Sequence, residues 1–287
     1  MYDVIIIGSG PAGISASLYT QRANLKTLII SKSVGVLEKV KQIENYYGFE
    51  NPISGKELAE NGINQAKRLG VEFIKDEVVK IEKETNFIVE TINRKYEAKA
   101  IVMATGSSRK NPNIKGIKEF EGRGVSYCAT CDAFFYRQKN VAVLGSGQYA
   151  LHEARELLQV ANSVTIFTNG EELIENRDLD LDVEIEFKKV KEVIGNTKVD
   201  EIQFEDDSKK PIDGVFIALG VASSSDLARK IGARIDNKNN IIVNQNMQTS
   251  IPMLYACGDC TGGTLQIAKA VYEGMVAGLN IIKELRK

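Results

Sequence analysis

The apolar positions of the chain occur either in short continuous runs or in longer runs with the period of a helix. Short runs rich in β-branched residues predict strands, and periodic runs predict helices that bury one face. The predicted strands cover residues 2–7, 71–74, 78–83, 87–91, 96–103, 140–144, 163–168, 183–188, 201–204 and 214–219, with two more that end near residues 30 and 257. Helical patterns extend to residue 23, from 54 to about 70, from 148 to about 161, and from about 264 to 285. Strands that alternate with helices indicate an α/β fold.

The first predicted strand leads directly into a glycine-rich turn that opens a helix. Glycines at the first, third and sixth positions of such a turn allow a tight bend, close approach of a pyrophosphate, and close packing of helix on strand. The N-terminus of the helix favours the anion. The acidic residue expected about 20 positions later to bind a ribose hydroxyl is absent, which argues against NAD here. The turn consists of Gly8, Ser9, Gly10, Pro11, Ala12 and Gly13, and the next strand ends in Ile30, Ser31 and Lys32.

The same pattern of strand, glycine turn and helix occurs a second time. The run Asn140 to Leu144 leads into Gly145-Ser146-Gly147, and a helical pattern follows. A later strand closes on small residues in each half, Ala104-Thr105-Gly106 in the first and Ala218-Leu219-Gly220 in the second. Small residues after a buried strand leave room for a ligand. The sequence therefore predicts two dinucleotide-binding folds.

A C-x-x-C motif, Cys128-Ala129-Thr130-Cys131, lies between the two glycine turns and is followed by Asp132. Cysteines at this spacing form a reversible disulfide, and such a motif lowers a thiol pKa to between about 3.5 and 7.5. The thiolate is the form that attacks a disulfide, and a neighbouring carboxyl is suited to relay the proton that thiol exchange moves. The alternative is that the two cysteines pack in the core or supply half of a metal site.

Composition and charge argue against several classes of partner. The 287 residues carry a formal net charge of −1, and the lysines are dispersed. Neither nucleic acid nor a membrane surface is indicated by this pattern, and no apolar stretch approaches the roughly 18 residues of a membrane-spanning helix. A strand pattern occupies the first residues, where a secretory signal would stand. We therefore expect a cytoplasmic protein, in which C-x-x-C is more often redox-active or metal-binding than structural.

A second pair with C-x-x-C spacing, Cys257 and Cys260, surrounds Gly258 and Asp259. Asp259 follows an apolar strand and is suited to accept hydrogen bonds from ligand hydroxyls. A zinc site made from both cysteine pairs would need a loop far longer than the usual ~15–20 residues. We therefore predict no metal site, and we interpret Cys257 and Cys260 as small packing residues.

Taken in order, the two glycine turns, Glu44-Asn45, Ala104-Thr105-Gly106, the C-x-x-C-Asp run and Gly258-Asp259 resemble the low-molecular-weight thioredoxin reductases over nearly the whole chain. The match is specific because the redox pair lies inside the second nucleotide fold. The resemblance implies an α/β protein with two Rossmann-like domains of the three-layer ββα type. It places a discontinuous FAD-binding domain at residues 1–112 and 240–287, and a redox-disulfide domain with a degenerate NAD(P)H-binding fold at residues 113–239.

The resemblance also implies roles for individual residues and partners. Cys131 would face the flavin, Cys128 would attack the disulfide of thioredoxin, and Asp132 would serve as the acid. The usual active form is a homodimer. The residues implied at FAD are Gly8, Ser9, Gly10, Pro11, Ala12, Gly13, Ser31, Asn45, Ala104, Thr105, Gly106, Gly258, Asp259, Gln266 and Ile267.

The second nucleotide fold departs from the NADPH-dependent members of that family. Those relatives carry a His-Arg-Arg run and a further Arg after the strand that ends near Thr168, where this chain has Asn169-Gly170-Glu171-Glu172. Arginine makes charge-assisted bidentate bonds with phosphate, whereas carboxylates repel it. Tyr149 replaces a small residue at the turn, and Arg177 is a weak substitute for the lost arginines. These losses resemble the ferredoxin-dependent flavin thioredoxin reductases, so we predict reduced ferredoxin as the electron donor.

Two alternatives stay open on the sequence alone. An NAD(P)H-dependent thioredoxin reductase would keep the same disulfide chemistry with another donor. A redox-silent FAD-binding module would use its cysteines only for packing, although such a module has no need of the C-x-x-C-Asp run.

Overall fold

The computed structural model describes residues 1–106, 113–174 and 181–287, which belong to two compact units. The first unit combines Met1–Arg109 with Ser223–Lys287, and the second is Lys110–Ala222. The resemblance places residues 223–239 in the second domain. In the structure they lie with the first unit, because the helix at Ser224–Lys230 packs against the strand at Val78–Lys83. The predicted boundary at residue 112 and Arg177 lie outside the described residues.

Fifteen strands and six α-helices, numbered in chain order, form within the described residues. The strands are β1 Tyr2–Ile7, β2 Thr27–Ile30, β3 Glu72–Ile74, β4 Val78–Lys83, β5 Phe87–Thr91, β6 Lys95–Met103, β7 Val125–Ser126, β8 Asn140–Leu144, β9 Ser163–Phe167, β10 Glu184–Glu186, β11 Val190–Gly195, β12 Val199–Phe204, β13 Lys209–Pro211, β14 Gly214–Ile217 and β15 Leu254–Ala256. The helices are α1 Pro11–Arg22, α2 Gly55–Arg68, α3 Ala129–Asp132, α4 Gln148–Leu158, α5 Ser224–Lys230 and α6 Ile267–Leu285. Short 3-10 helices cover Val36–Lys39, Ala133–Tyr136 and Asp259–Thr261.

The first unit is built on a parallel sheet in the order β3-β2-β1-β6, with β15 beside the C-terminal part of β6. The N-terminal part of β6 pairs instead with β5, which pairs with β4 in an antiparallel meander. β2 is buried at every position and β1 at most, as expected for parallel strands covered on both faces. α1 and α6 pack on each other, and both share a hydrophobic cluster with β1. The α/β fold predicted from the sequence is confirmed.

The second unit repeats this plan with fewer helices. Its parallel sheet has the order β10-β9-β8-β14-β7, and a separate antiparallel sheet contains β11, β12 and β13. β8 leads into α4 through a glycine turn, as β1 leads into α1. Side chains of the antiparallel sheet, including Val193 and Ile202, share one hydrophobic cluster with Val215 of the parallel sheet. The second dinucleotide-binding fold is thus present.

Several elements of the fold were not predicted from the sequence. β13 is only three residues long and contains two lysines, and both β11 and β13 are held by pairing with β12. α5 begins with a capping box, in which the Asp226 amide donates to Ser223 Oγ at 3.2 Å and the Ser223 amide donates to Asp226 Oδ2 at 2.8 Å. At the start of α2, Ser54 caps the helix, and its Oγ accepts from the Glu57 amide at 3.1 Å. Within the described parts of the chain, no helix combines the length and apolar character needed to cross a membrane.

Candidate active site

The glycine turn of the first unit connects β1 to α1 at the carboxyl edge of the parallel sheet. Gly8 packs so closely on Ala104, after β6, that a Cβ on Gly8 would overlap the Ala104 carbonyl group. Gly13 is equally confined, since its Cβ would overlap the Gly8 carbonyl oxygen. Gly10 differs, because no atom of the described residues lies within 4 Å of the position that its Cβ would take. The outer glycines hold turn and helix together, while Gly10 leaves an open surface before Pro11, the first residue of α1.

Other ligand residues predicted for the first unit gather around this turn. The hydroxyl oxygens of Ser9 and Ser31, which follow β1 and β2, lie 2.8 Å apart in a hydrogen bond. Asn45 Nδ2 donates to Gln266 Oε1 at 3.1 Å, and this contact joins a distant loop to the start of α6 at Ile267. The structure therefore brings these residues to one edge of the sheet.

Two more chain segments complete this edge. Gly258, after β15, approaches α1 so closely that its Cβ would lie 2.9 Å from that of Ala12. Asp259 follows and is partly exposed. After β6, the Thr105 hydroxyl forms a short hydrogen bond with the hydroxyl of Ser224.

The arrangement fits FAD, the cofactor implied by the resemblance. The N-terminus of α1 presents backbone amides and the positive end of its dipole, with no side chain at Gly10 to keep a pyrophosphate away. The partly exposed carboxylate of Asp259 lies at the same sheet edge, and a carboxylate is able to accept hydrogen bonds from ligand hydroxyls. The tight glycine contacts and the open surface at Gly10 are the features that a bound pyrophosphate needs.

The corresponding turn of the second unit is closed. A Cβ on Gly147 would lie 2.8 Å from the carbonyl oxygen of Gly220 and 3.9 Å from Cδ1 of Ile174. The amide of Ile174 donates to the carbonyl oxygen of Ser146 at 2.9 Å, so the segment after β9 crosses the turn. The space beside Gly147 is therefore occupied by neighbouring atoms of the chain, whereas the corresponding space beside Gly10 in the first unit is open.

The side chains around this closed turn also differ from those of a nucleotide site. Tyr149, at the second position of α4, is fully buried, and its hydroxyl donates to the Tyr127 carbonyl oxygen at 3.4 Å. Tyr149 is thus a core residue and not a surface aromatic. Glu171 and Glu172 follow β9 and are both exposed. The acidic pair remains where phosphate-binding arginines would be needed.

Cys128 and Cys131 are joined by a disulfide, and their Cα atoms lie 5.3 Å apart. Cys128 is the N-cap of α3, and its Sγ accepts a hydrogen bond from the Cys131 amide at 3.1 Å. Once the disulfide is reduced, this amide would stabilise negative charge on the Cys128 sulfur. Cys128 is 3% exposed, whereas Cys131 is exposed, so a reaction of Cys128 with another protein would require its sulfur to become more accessible.

Asp132 is connected to the cysteine turn by a residue that the sequence analysis missed. Ser126, the last residue of β7, donates from Oγ to Asp132 Oδ2 at 2.6 Å and accepts from the Cys128 amide at 3.1 Å. Ser126 is 5% exposed, so these hydrogen bonds are shielded from water. Its proximity to Cys128 in sequence was the only available signal.

A second missed residue lies beneath the same turn. Glu153 of α4 is 1% exposed, and its Oε2 accepts from the Ala129 amide at 2.8 Å. Glu153 is 24 positions from Ala129, so only the packing of α4 brings the two together. The cysteine turn is therefore anchored by hydrogen bonds at Cys128 and at Ala129.

Two exposed aromatic side chains follow the disulfide. Phe134 and Phe135 are 70% and 67% exposed, and the Arg137 guanidinium lies 5.5 Å from the Phe134 ring centroid. The next aromatic residue, Tyr136, is buried, and its burial, with the negative charges of Asp132 and Asp213, raises its pKa. Its phenol is therefore protonated at neutral pH, and the exposed apolar surface beside the disulfide comes from the two phenylalanines.

The second cysteine pair has the surroundings of a packing pair. Cys257 and Cys260 are free thiols in the core of the first unit. Burial raises the pKa of Cys260 to about 12 and that of Cys257 well above its usual value. Cys260 Sγ donates to the carbonyl oxygen of Met103 at 3.4 Å. Because the thiolate is the reactive form, both thiols are inert at neutral pH.

The chain is similar to known disulfide reductases along its length. The family model described as pyridine nucleotide-disulphide oxidoreductase matches residues 2–274. A thioredoxin reductase from Listeria innocua is 35% identical, with 99% of this chain and 93% of that protein covered. The solved structure of the atypical thioredoxin reductase TRi from Desulfovibrio vulgaris Hildenborough has a TM-score of 0.94 at 38% identity, with 99% of both chains covered. A ferredoxin-flavin thioredoxin reductase from Clostridium acetobutylicum has a TM-score of 0.75 at 34% identity, with 99% of this chain and 98% of that chain covered.

Proposed function

We propose, since the chain belongs to the pyridine nucleotide-disulphide oxidoreductase family and within it to the thioredoxin reductases, that its electrons come from reduced ferredoxin. The chain is a flavoprotein thioredoxin reductase with a C-x-x-C disulfide, Cys128–Cys131. FAD, when bound, supplies the conversion between one-electron and two-electron chemistry. The redox-silent module considered above does not account for the membership in this enzyme family.

The closed turn at Gly147 is the observation that carries the proposal. A nicotinamide dinucleotide bound to this fold needs its pyrophosphate against the middle glycine and the helix N-terminus. The Ile174 amide is bonded to Ser146, and the Ile174 side chain lies close to Gly147. A nucleotide would have to displace this segment before it reached the backbone amides.

The charge near this turn supports the same conclusion. Glu171 and Glu172 are exposed after β9, where a 2′-phosphate would require cations. Hydrogen bonds to charged groups contribute about 1.5–3 kcal/mol each. The loss of two arginine contacts therefore weakens NADPH binding by roughly 10²–10⁴ at 1.4 kcal/mol per decade. NADH has no 2′-phosphate and does not lose this binding energy, but the segment at Ile174 is in its way at the glycine turn as well.

The similarity to a ferredoxin-flavin thioredoxin reductase adds support from outside the chain. That protein matches this one over 99% of this chain at 34% identity. That protein is described as a ferredoxin-flavin thioredoxin reductase, and we propose ferredoxin as the electron donor of this chain as well.

We propose the following roles in the thiol chemistry. Two electrons and two protons convert the Cys128–Cys131 disulfide to a dithiol, which requires two reduced ferredoxins, each giving one electron. The Cys128 thiolate then attacks the thioredoxin disulfide, so that a mixed disulfide forms and one thioredoxin sulfur leaves as a thiolate. The Cys131 thiolate attacks the mixed disulfide, releases dithiol thioredoxin and restores the starting disulfide. Asp132 takes the proton that the attacking cysteine loses and gives it to the thioredoxin thiolate that leaves.

The hydrogen bonds at the cysteine turn support this division of roles. The Cys131 amide already donates to Cys128 Sγ at 3.1 Å, which favours a thiolate on Cys128. Phe134 and Phe135 offer an exposed apolar contact for thioredoxin next to the disulfide. Arg137, near the Phe134 ring, adds a positive charge to that surface.

Further parts of the proposal rest on the resemblance together with this geometry. We propose the sheet-edge residues of the first unit described above as the FAD ligands. We also propose a homodimer and a cytoplasmic location, and no nucleic acid or membrane as a partner.

A direct comparison of donors tests the proposal. The flavoprotein is mixed anaerobically in a stopped-flow instrument with millimolar NADPH, millimolar NADH or reduced ferredoxin, and the flavin absorbance is followed. We expect reduced ferredoxin to bleach the flavin absorbance rapidly, and we expect no appreciable bleaching by NADPH or NADH. Bleaching by NADPH or NADH at catalytic rates would contradict the ferredoxin proposal.

The second candidate is an NAD(P)H-dependent thioredoxin reductase. The description of the matching family, which names a pyridine nucleotide, favours it. It requires the segment at Ile174 to move away from Ser146 when a nucleotide binds. The nucleotide arms of the same experiment distinguish the two candidates.

A further inference from the structure

The turn after β15 is held by two charged side chains of α6. Gly258 has a φ of +84°, and its amide donates to Glu273 Oε2 at 2.8 Å. Its carbonyl oxygen accepts from Lys269 Nζ at 2.9 Å. Both polar groups of Gly258 are therefore bonded to charged groups of one helix.

Lys269 and Glu273 form an ion pair one helical turn apart. Lys269 Nζ lies 3.1 Å from Glu273 Oε2, and the two side chains are 19% and 11% exposed. Thr261 joins the pair, because its hydroxyl accepts from Lys269 Nζ at 3.0 Å and lies within donating distance of two oxygens, Glu273 Oε2 at 2.9 Å and the Gly258 carbonyl at 2.7 Å. Partial burial strengthens these contacts relative to a surface pair. Both ends of the 3-10 turn Asp259–Thr261 are thus hydrogen-bonded to the Lys269–Glu273 ion pair, whose two charges have opposite sign.

The bond from Lys269 also helps to hold the direction of the next amide. The Thr261 amide donates to the same carbonyl oxygen at 3.1 Å, and Thr261 Oγ1 lies 2.7 Å from it. In a trans peptide the C=O and the following N–H point in opposite directions, and the Gly258–Asp259 peptide is trans. Since the Gly258 carbonyl points at Lys269, the Asp259 amide points away from that ammonium group.

We propose that Lys269 and Glu273 are positioning residues for FAD. They turn the amide and carboxylate of Asp259 toward the bound cofactor, and their opposite charges cancel beside it. The inference rests on the proposed FAD ligands of the first unit, and it does not depend on the electron donor. Neither the glycine motif nor Asp259 predicts an ion pair between Lys269 and Glu273, so the role of this pair is an additional inference.

The affinity of the apoprotein for FAD gives the first test. Lys269→Met removes the ammonium group, and Glu273→Gln removes the charge at nearly constant shape. We expect each to raise the FAD dissociation constant about tenfold or more, because charged hydrogen bonds are lost. Lys269→Arg, which keeps the charge, should restore most of the affinity. Lys283→Met and Glu284→Gln, on the same helix and away from Gly258, are the matched controls and should change nothing.

The flavin midpoint potential gives a second test that a merely structural role would not pass. Reduction adds negative charge to the flavin. Lys269→Met leaves Glu273 unbalanced and should lower the potential, whereas Glu273→Gln leaves Lys269 unbalanced and should raise it. We expect about a tenfold change in the ratio of reduced to oxidised flavin at fixed potential, which is about 30 mV for a two-electron couple. The double variant Lys269→Met with Glu273→Gln should return close to the parent potential.

Unchanged affinity and potential in both single variants would overturn the inference, as would shifts of the same sign. Circular dichroism of the apoprotein identifies a variant that fails to fold. If Lys269→Met fails to fold, the inference is tested with the more conservative variants Lys269→Arg and Glu273→Gln. The variant Gly10→Val distinguishes a wrong role for Lys269 and Glu273 from a wrong assignment of the FAD site. If Gly10→Val retains flavin, the site assignment is wrong. If it loses flavin while the α6 variants behave as the parent, only the role of Lys269 and Glu273 is wrong.

Discussion

Replacement of Ser126 by alanine removes the link between Asp132 and the cysteine turn. The serine hydroxyl donates to Asp132 Oδ2 at 2.6 Å and accepts from the Cys128 amide at 3.1 Å. A hydrogen bond to a charged group contributes about 1.5–3 kcal/mol, which corresponds to about tenfold to a hundredfold in rate. We expect Ser126→Ala to slow the reduction of thioredoxin by that factor, because Asp132 remains but is no longer held beside Cys128.

The rate is measured without reference to the electron donor. Dithionite-reduced protein, freed of excess reductant, is mixed anaerobically with oxidised thioredoxin, and the formation of dithiol thioredoxin is followed. Ser126→Thr keeps the hydroxyl and is the matched control, so it should retain most of the rate. Flavin content should be equal in all variants, since Ser126 belongs to the second unit and the proposed FAD ligands belong to the first.

A double-mutant cycle with Asp132 decides whether Ser126 acts through that carboxyl. Asp132→Asn alone should slow the reaction by about 10²–10⁴, the usual contribution of a general acid. In the Asp132→Asn background, Ser126→Ala should then have little further effect, because residues that act as a unit are not additive. Fully additive losses, or an unchanged rate in Ser126→Ala, would refute the reasoning.

Two further predictions concern the cysteines. Cys128→Ser should leave flavin reduction possible but end thioredoxin reduction, whereas Cys131→Ser should allow a mixed disulfide between Cys128 and thioredoxin to be trapped and identified by mass spectrometry. An adduct that forms only through Cys131 would reverse the two roles. In the native oxidised protein no thiol should react with a disulfide dye at neutral pH, because burial raises the pKa of Cys260 to about 12 and that of Cys257 well above its usual value. Their thiolates, and hence their reactivity, should appear only as the pH rises toward those values, and labelling of either residue at neutral pH would contradict the assignment.

The features that depend only on neighbouring residues follow from the sequence. Strand β1, the turn from Gly8 to Gly13 and helix α1 follow from an apolar run, glycine spacing and helical periodicity within a short segment. The second glycine turn and the pairing of Cys128 with Cys131 were accessible in the same way. The acidic residues that follow β9 were visible as a departure from a phosphate-binding pattern.

The contacts that join distant segments follow only from the way the elements pack. Glu153 reaches Ala129 across 24 positions, and Ile174 covers the turn at Ser146. Lys269 and Glu273 orient Gly258 from another element, and α5 lies with the first unit because it packs on β4. Local patterns specify which residues form strands and helices, but a hydrogen bond between segments depends on how those elements pack. The contact of Ile174 with the glycine turn of the second unit is therefore visible only in the three-dimensional structure, although the sequence already shows that the phosphate-binding arginines are absent.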